Sequence, residues 1–184
     1  MGLIIRSLVG AAVVAVLTGF APAPVAAEDV FVRIAAPLDE ARGLCLDIPG
    51  HRDRVNVTRP LVVHTCKWDI WNFDERFDAE ALDQGALRMP TYDLCAGVDR
   101  ATQGSAIVLG SCDGEPLHRW QVGDGRFRLV ADPNMCLTVG AEPSRLTPGG
   151  RRLPSRHVAR SLSLEPCRDA ANERQIWQSV SPTS

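Results

Sequence analysis

The chain has 184 residues, with 20 basic and 22 acidic side chains and a formal net charge of −2. That balance excludes a nucleic-acid binder, which needs a net basic face. The length suits one well-formed core.

Residues Met1 to Ala27 read as an export signal. Arg6 supplies the positive start, Leu8 to Phe20 is an apolar run, and Val25-Ala26-Ala27 offers small residues for cleavage before Glu28. The run is shorter than the ~20 residues a span needs, so no transmembrane anchor is expected after cleavage. The mature chain, 28–184, then carries 19 basic and 22 acidic residues, and its expected location is secreted or periplasmic.

All six cysteines lie in that mature part, and an even count in an exported chain reads as a disulfide framework. Three of them share one pattern: Leu44-Cys45-Leu46-Asp47-Ile48, Leu94-Cys95-Ala96-Gly97-Val98 and Met135-Cys136-Leu137-Thr138-Val139. The other three share a second: Leu61-x-Val63-x-x-Cys66, Ile107-x-Leu109-x-x-Cys112 and Leu162-x-Leu164-x-x-Cys167. A tryptophan follows each of the latter, at Trp71, Trp120 and Trp177, and all three are expected in the core. One unit of about 45 residues therefore recurs three times. Alternating apolar residues between Gly, Pro, Asp and Asn predict short strands. The polar segment Asp74 to Ala86 reads equally as a surface helix or a loop.

Of the 15 pairings six cysteines allow, the repeat selects Cys45–Cys66, Cys95–Cys112 and Cys136–Cys167. Each closes a loop whose cross-link stabilises by roughly 3 kcal/mol in the chain-entropy model. Five Phe, four Trp and one Tyr cannot bury much large apolar surface in three small units, so the bridges supply what the core lacks. No Cys-x-x-Cys pair occurs, and His64-Thr65-Cys66 is too sparse for a zinc site. Neither a metal nor a cofactor is expected.

The third unit carries an insertion, Ala141 to Arg160, whose Pro143, Pro148, Gly149, Gly150 and Pro154 argue against regular structure. Arg145, Arg151, Arg152, Arg156 and Arg160 make it basic within an acidic body. It reads as a solvated loop or as a contact for an anionic glycan, lipid head group or acidic partner.

The chain resembles the ricin B-type β-trefoil lectins, whose subdomains carry a Cys-Leu-Asp-like start, a later cysteine and a Gln-x-Trp end. Cys45-Leu46-Asp47 and Gln175-Ile176-Trp177 match in full, while His118-Arg119-Trp120 and Asp69-Ile70-Trp71 keep only the tryptophan. The resemblance implies an all-β fold, a β-trefoil with repeats of approximately 30–78, 79–123 and 124–184.

It also implies where sugar would bind. The family places an Asp two residues after the first cysteine and an aromatic two residues before the second. A polar loop precedes the final tryptophan. In the first repeat Asp47 and His64 hold these positions, followed by Lys67, Trp68, Asp69 and Asn72. With Trp71 as the repeat's end, that loop is short. Asp47 reads equally as a turn cap, and Trp68 as a packing residue. The second repeat has Gly97 and Gly110 there and reads as blank. The third has Thr138 and Glu165 but keeps a polar loop with Arg168, Asp169, Asn172 and Gln175; Arg168, Asn172 and Gln175 are the weaker sugar candidates, Gln175 reading more as a scaffold residue.

The expected function is an exported, lectin-like carbohydrate-binding protein with at most one typical sugar site, in the first repeat, and glycans or glycoconjugates as partners. The alternative is an interaction or toxin-delivery subunit with degenerate sugar sites. The binding subunits of cytolethal distending toxins are similar in this way. A trefoil inhibitor is a third reading. An enzyme is not expected: there are four histidines, and no Gly-x-Ser-x-Gly elbow, His-Glu-x-x-His helix or phosphate loop.

Overall fold

The computed structural model describes residues 28–183, without the side chains of residues 170–172. The expected signal peptide, 1–27, lies outside them.

Among the described residues the fold is three sets of four strands, one inserted strand and one short α-helix, with three 3-10 turns between them. The first set is β1 (Asp29–Ile34), β2 (Leu44–Asp47), β3 (Val62–Thr65) and β4 (Arg76–Asp78). Helix α1 (Ala79–Asp83) follows, its first turn capped by Asp78 Oδ1 accepting the Ala81 N–H at 3.0 Å. The second set is β5 (Arg88–Met89), β6 (Leu94–Val98), β7 (Ile107–Gly110) and β8 (Trp120–Gly123). The third is β9 (Arg126–Leu129), β10 (Asp132–Val139), β12 (Val158–Pro166) and β13 (Trp177–Val180), with β11 (Arg145–Leu146) inserted. The segment Asp74 to Ala86 thus contains both a strand and a helix.

All strand pairs are antiparallel, and each set is built on a hairpin: β2 with β3, β6 with β7, β10 with β12. β1 pairs with both β4 and β13, joining the first strand of the chain to the last. The strands alternate because one face must be dry; β3 and β9 show it residue by residue. Leu61, Ile107 and Leu162, equivalent in the three repeats, are all buried, and the Leu61 N–H donates to the Ile107 carbonyl at 2.8 Å. The core below them is aliphatic, with Leu44, Leu46, Val63, Val98, Leu137, Val139 and Leu164.

Cys45–Cys66, Cys95–Cys112 and Cys136–Cys167 are bonded, one bridge per repeat. Trp120 and Trp177 are core residues whose indole N–H groups donate to the Ala96 and Leu137 carbonyls. Trp71 differs from the expectation. It is only half-buried, and Phe77 fills the core position instead. The reason is register: Phe77 lies on β4, paired to Val30 of β1, whereas Trp71 lies on the loop before it. The first repeat therefore ends in Glu75-x-Phe77, and its polar loop is full length. The insertion is also more ordered than its prolines suggest, because β11 pairs with β12.

Candidate functional site

Strand register aligns the repeats without reference to any other protein. Cys45 lies opposite His64, Cys95 opposite Gly110 and Cys136 opposite Glu165. Two residues on, Asp47, Gly97 and Thr138 hold equivalent places. Glu75, His118 and Gln175, each two residues before the final aromatic, face them from the loop side.

In the first repeat these groups form a buried ionic cluster. The Lys67 ammonium donates to Asp47 Oδ1 at 2.8 Å and Asp74 Oδ2 at 2.6 Å, and lies 3.8 Å from Glu75 Oε1. Exposure is 1 % for Asp47, 3 % for Lys67 and 0 % for Asp74 and Glu75. The Lys67 backbone N–H donates to Glu75 Oε2 at 2.8 Å. Glu75 Oε1 and Asp74 Oδ1 accept no hydrogen bond. One ammonium cannot neutralise three carboxylates, and burial pushes the Asp47 and Glu75 carboxyls well above the usual range. Burial thus favours the protonated form of these carboxyls. Burial alone would lower the Lys67 ammonium, but Asp47, Glu75 and Asp74 outweigh it and hold it above its ordinary value.

His64 sits at the edge of this cluster, its Nδ1 2.7 Å from the Thr65 carbonyl and 3.5 Å from Glu75 Oε1. Burial lowers its affinity for a second proton. Its ring meets His157 of the insertion edge-on at 5.2 Å. Asp47, His64 and Glu75 bring ligand atoms within 4.8 Å of one another, a spacing a metal ion could bridge. Lys67 already supplies a cation beside them.

The remaining sequence candidates are spread over the loop above. Asn72 is buried and clamps that loop, donating to the Lys67 carbonyl at 3.1 Å and accepting from Arg76 Nε at 2.8 Å. Trp68 packs on Phe31, rings 5.1 Å apart, and donates to the Arg42 carbonyl at 3.0 Å. Asp69 is exposed at a left-handed turn with φ 58°. Nearby, Trp71 contacts His51 edge-on at 5.2 Å and Phe73 at 5.9 Å. Phe73 is 41 % exposed with the Arg76 guanidinium over its ring, and Ile70 is 49 % exposed. The structure thus joins Asp47, His64 and Lys67, ties Asn72 to the Lys67 backbone, and places Trp68 and Asp69 apart from that cluster.

In the second repeat the His118 ring fills the equivalent space. A Cβ on Gly97 would collide with His118 Cδ2, and one on Gly110 would lie 2.9 Å from Cε1. In the third, Gln175 is buried; it accepts the Arg168 N–H at 3.0 Å and donates to Thr138 Oγ1 at 2.9 Å and the Pro166 carbonyl at 3.0 Å. Arg168 is exposed, and the Asn172 side chain lies outside the described residues.

Sequence reasoning missed Asp74 and Glu75 of the buried cluster, and the partly exposed Phe73 and Trp71 beside it. The signal was spacing. From second cysteine to core aromatic the third repeat has ten residues and the second eight; Trp71 gives five, Phe77 eleven.

Residues 34–148 match the ricin-type β-trefoil lectin domain family. The chain belongs to that family. Solved ricin-type and other β-trefoil structures share its fold. An earthworm lectin C-terminal domain mutant, in complex with 6'-sialyllactose, is 15 % identical, with 83 % of this chain and 99 % of that one covered and a TM-score of 0.54. The β-trefoil lectin of the Vibrio vulnificus hemolysin/cytolysin, bound to N-acetyl-D-lactosamine, is 15 % identical, covering 85 % and 96 %, with a TM-score of 0.55. The designed threefold-symmetric protein ThreeFoil is 13 % identical, covering 83 % and 98 %, with a TM-score of 0.56. No curated protein sequence matches. Among the described residues no helix is long and apolar enough to cross a membrane.

Proposed function

We propose that this ricin-type trefoil is an exported, non-enzymatic carbohydrate-binding protein whose single sugar site lies at the first repeat. The observation that carries this is the aromatic rim on the loop between β3 and β4. Trp71 and Phe73 offer partly exposed aromatic surface for the C–H surface of a sugar, one Phe73 face being taken by the Arg76 guanidinium, and the exposed Asp69 carboxylate accepts hydroxyl hydrogen bonds. Asp47, His64 and Lys67 act from beneath, and Asn72 and Trp68 hold the loop's shape. Of the weaker third-repeat sugar candidates Arg168, Asn172 and Gln175, Gln175 contributes scaffold by holding the Arg168 N–H and Thr138. One shallow site supports affinity near 1 mM, about −4 kcal/mol, so useful strength comes from multivalency. The relatives named above are bound to sialyllactose and N-acetyl-lactosamine, which makes both the first glycans to try.

A second reading, an interaction or toxin-delivery subunit with degenerate sugar sites, is favoured by one observation. Each equivalent pocket is filled by the protein's own side chain: Lys67, His118 or Gln175. A glycan array on the purified protein, followed by tryptophan-fluorescence titration, separates the two. Sugar binding predicts array hits that Trp71→Ala weakens at least tenfold while the melting temperature holds. A silent array transfers the assignment to the second reading.

A further inference from the structure

The insertion between β10 and β12 is a built arm. Arg145 and Leu146 pair with Ala159 and Val158, and Thr147 bonds the His157 carbonyl through its backbone N–H at 3.0 Å. The turn beyond closes on itself: Gly150 N–H donates to Thr147 Oγ1, Arg151 N–H to the Thr147 carbonyl, and Arg152 and Leu153 N–H to that of Gly149. Gly150 is buried, and a Cβ there would strike the His157 carbonyl. The arm is tied to the first repeat by Val158 N–H donating to Thr65 Oγ1 at 2.9 Å and Arg42 donating to the Ser155 carbonyl at 2.7 Å. Arg160 secures its base, bonding the Ala141 and Glu142 carbonyls and reaching Asp39 at 3.5 Å.

The tip of this fixed arm is chemically unlike the rest of the surface. Arg145, Arg151, Arg152 and Arg156 are exposed. Between them Leu153 is 58 % exposed, the most exposed large apolar side chain among the described residues. Residues 141–160 carry five arginines and one acidic residue, Glu142, while the rest of the mature chain carries 14 basic and 21 acidic residues. This exposed segment therefore carries a net charge of +4 on a body that is otherwise −7.

We propose that this arm docks the protein on an anionic phospholipid surface, with the arginines on the head-group phosphates and Leu153 entering between them. Cations near such a surface each contribute roughly 1 kcal/mol of attraction, and an apolar residue at their centre adds burial in the interfacial layer. A sulfated glycan would use the charge but not the leucine. A neutral sugar would need a flat stacking face, and the arm's one ring, His157, is turned against His64. The inference is independent of the sugar site.

The test is co-flotation of the purified protein with vesicles of phosphatidylcholine alone or a 7:3 mixture with phosphatidylglycerol. The arm predicts binding to the mixed vesicles only, lost in 0.5 M NaCl. R151A/R152A lowers the affinity roughly thirtyfold at two arginines' worth of attraction, and L153D roughly tenfold. R59A/R100A, which removes the same charge from exposed sites elsewhere, changes it less than threefold. All variants keep the parent melting temperature. Equal binding to neutral vesicles, unchanged binding by R151A/R152A, or equal loss in R59A/R100A overturns the proposal. So does retention on heparin without flotation, which would assign the arm to a sulfated glycan.

Discussion

In the third repeat Gln175 accepts the Arg168 amide and donates its own NH₂ to Thr138 and Pro166, a neutral arrangement complete in itself. In the first, Glu75 accepts the equivalent Lys67 amide but has no N–H to give, and faces Asp47 rather than a threonine. The missing donors come from the Lys67 ammonium, which turns back into the space between Asp47 and Asp74. Carboxylates at Glu75 and Asp47, where the third repeat has the amide of Gln175 and the hydroxyl of Thr138, thus convert a neutral hydrogen-bonded corner into a buried ionic one. Such a cluster holds while every partner is present and is costly to break, because removing one leaves the others charged in a dry place.

The sharpest way to break the comparison is Lys67→Met. It strands three buried carboxyls and is expected to cost about 3–5 kcal/mol in urea unfolding, or to prevent folding. Adding D47T and E75Q, which copies the third repeat, should restore the larger part; no recovery would mean that Lys67 packs rather than neutralises. Next is Gly97→Asp, which puts the first repeat's carboxylate into the second. His118 already fills that space, so the variant should lose about 3 kcal/mol and gain no sugar binding. Gln175→Leu should cost about 2 kcal/mol, by leaving the Arg168 N–H and Thr138 without their partner.

The smallest effect is pH-dependent. Burial, with His64 alongside, holds His157 down to about 4 in the folded chain. The folded state therefore takes up this proton less readily than the unfolded state, whose His titrates near 6.5. Stability from this residue is present above about 6.5 and lost as pH falls toward 4. The raised Asp47 and Glu75 carboxyls act in the opposite sense, but they are common to parent and variant. Between pH 7 and pH 4.5 the parent should lose more melting temperature than His157→Asn; equal losses would remove His157 from the acid response.

Much of the fold was legible because cysteine partners must meet. Six cysteines in two recurring patterns set the strand hairpins. The first repeat's end was not legible by residue identity, since Glu75-x-Phe77 shares neither letter with Gln175-x-Trp177. Trp71 offered a false match five residues after Cys66, and with it Asp74 and Glu75 were assigned to a surface segment. Lys67 was named as a site candidate, but its burial among carboxylates was not legible. A lysine is almost never fully buried unless paired, and its partners come from β2 and from the loop before β4. Asp47 and His64 were found because both lie at fixed distances from a cysteine.

The pairing of β1 with β13 sets Phe31 beside Val180, so the two ends of the folded chain emerge at one spot. Any protein attached before or after the trefoil therefore hangs from the same corner, and two such attachments would be neighbours. Linking those ends and opening the backbone at Gly114, an exposed turn with φ +79° and open space around it, would leave every strand ladder intact.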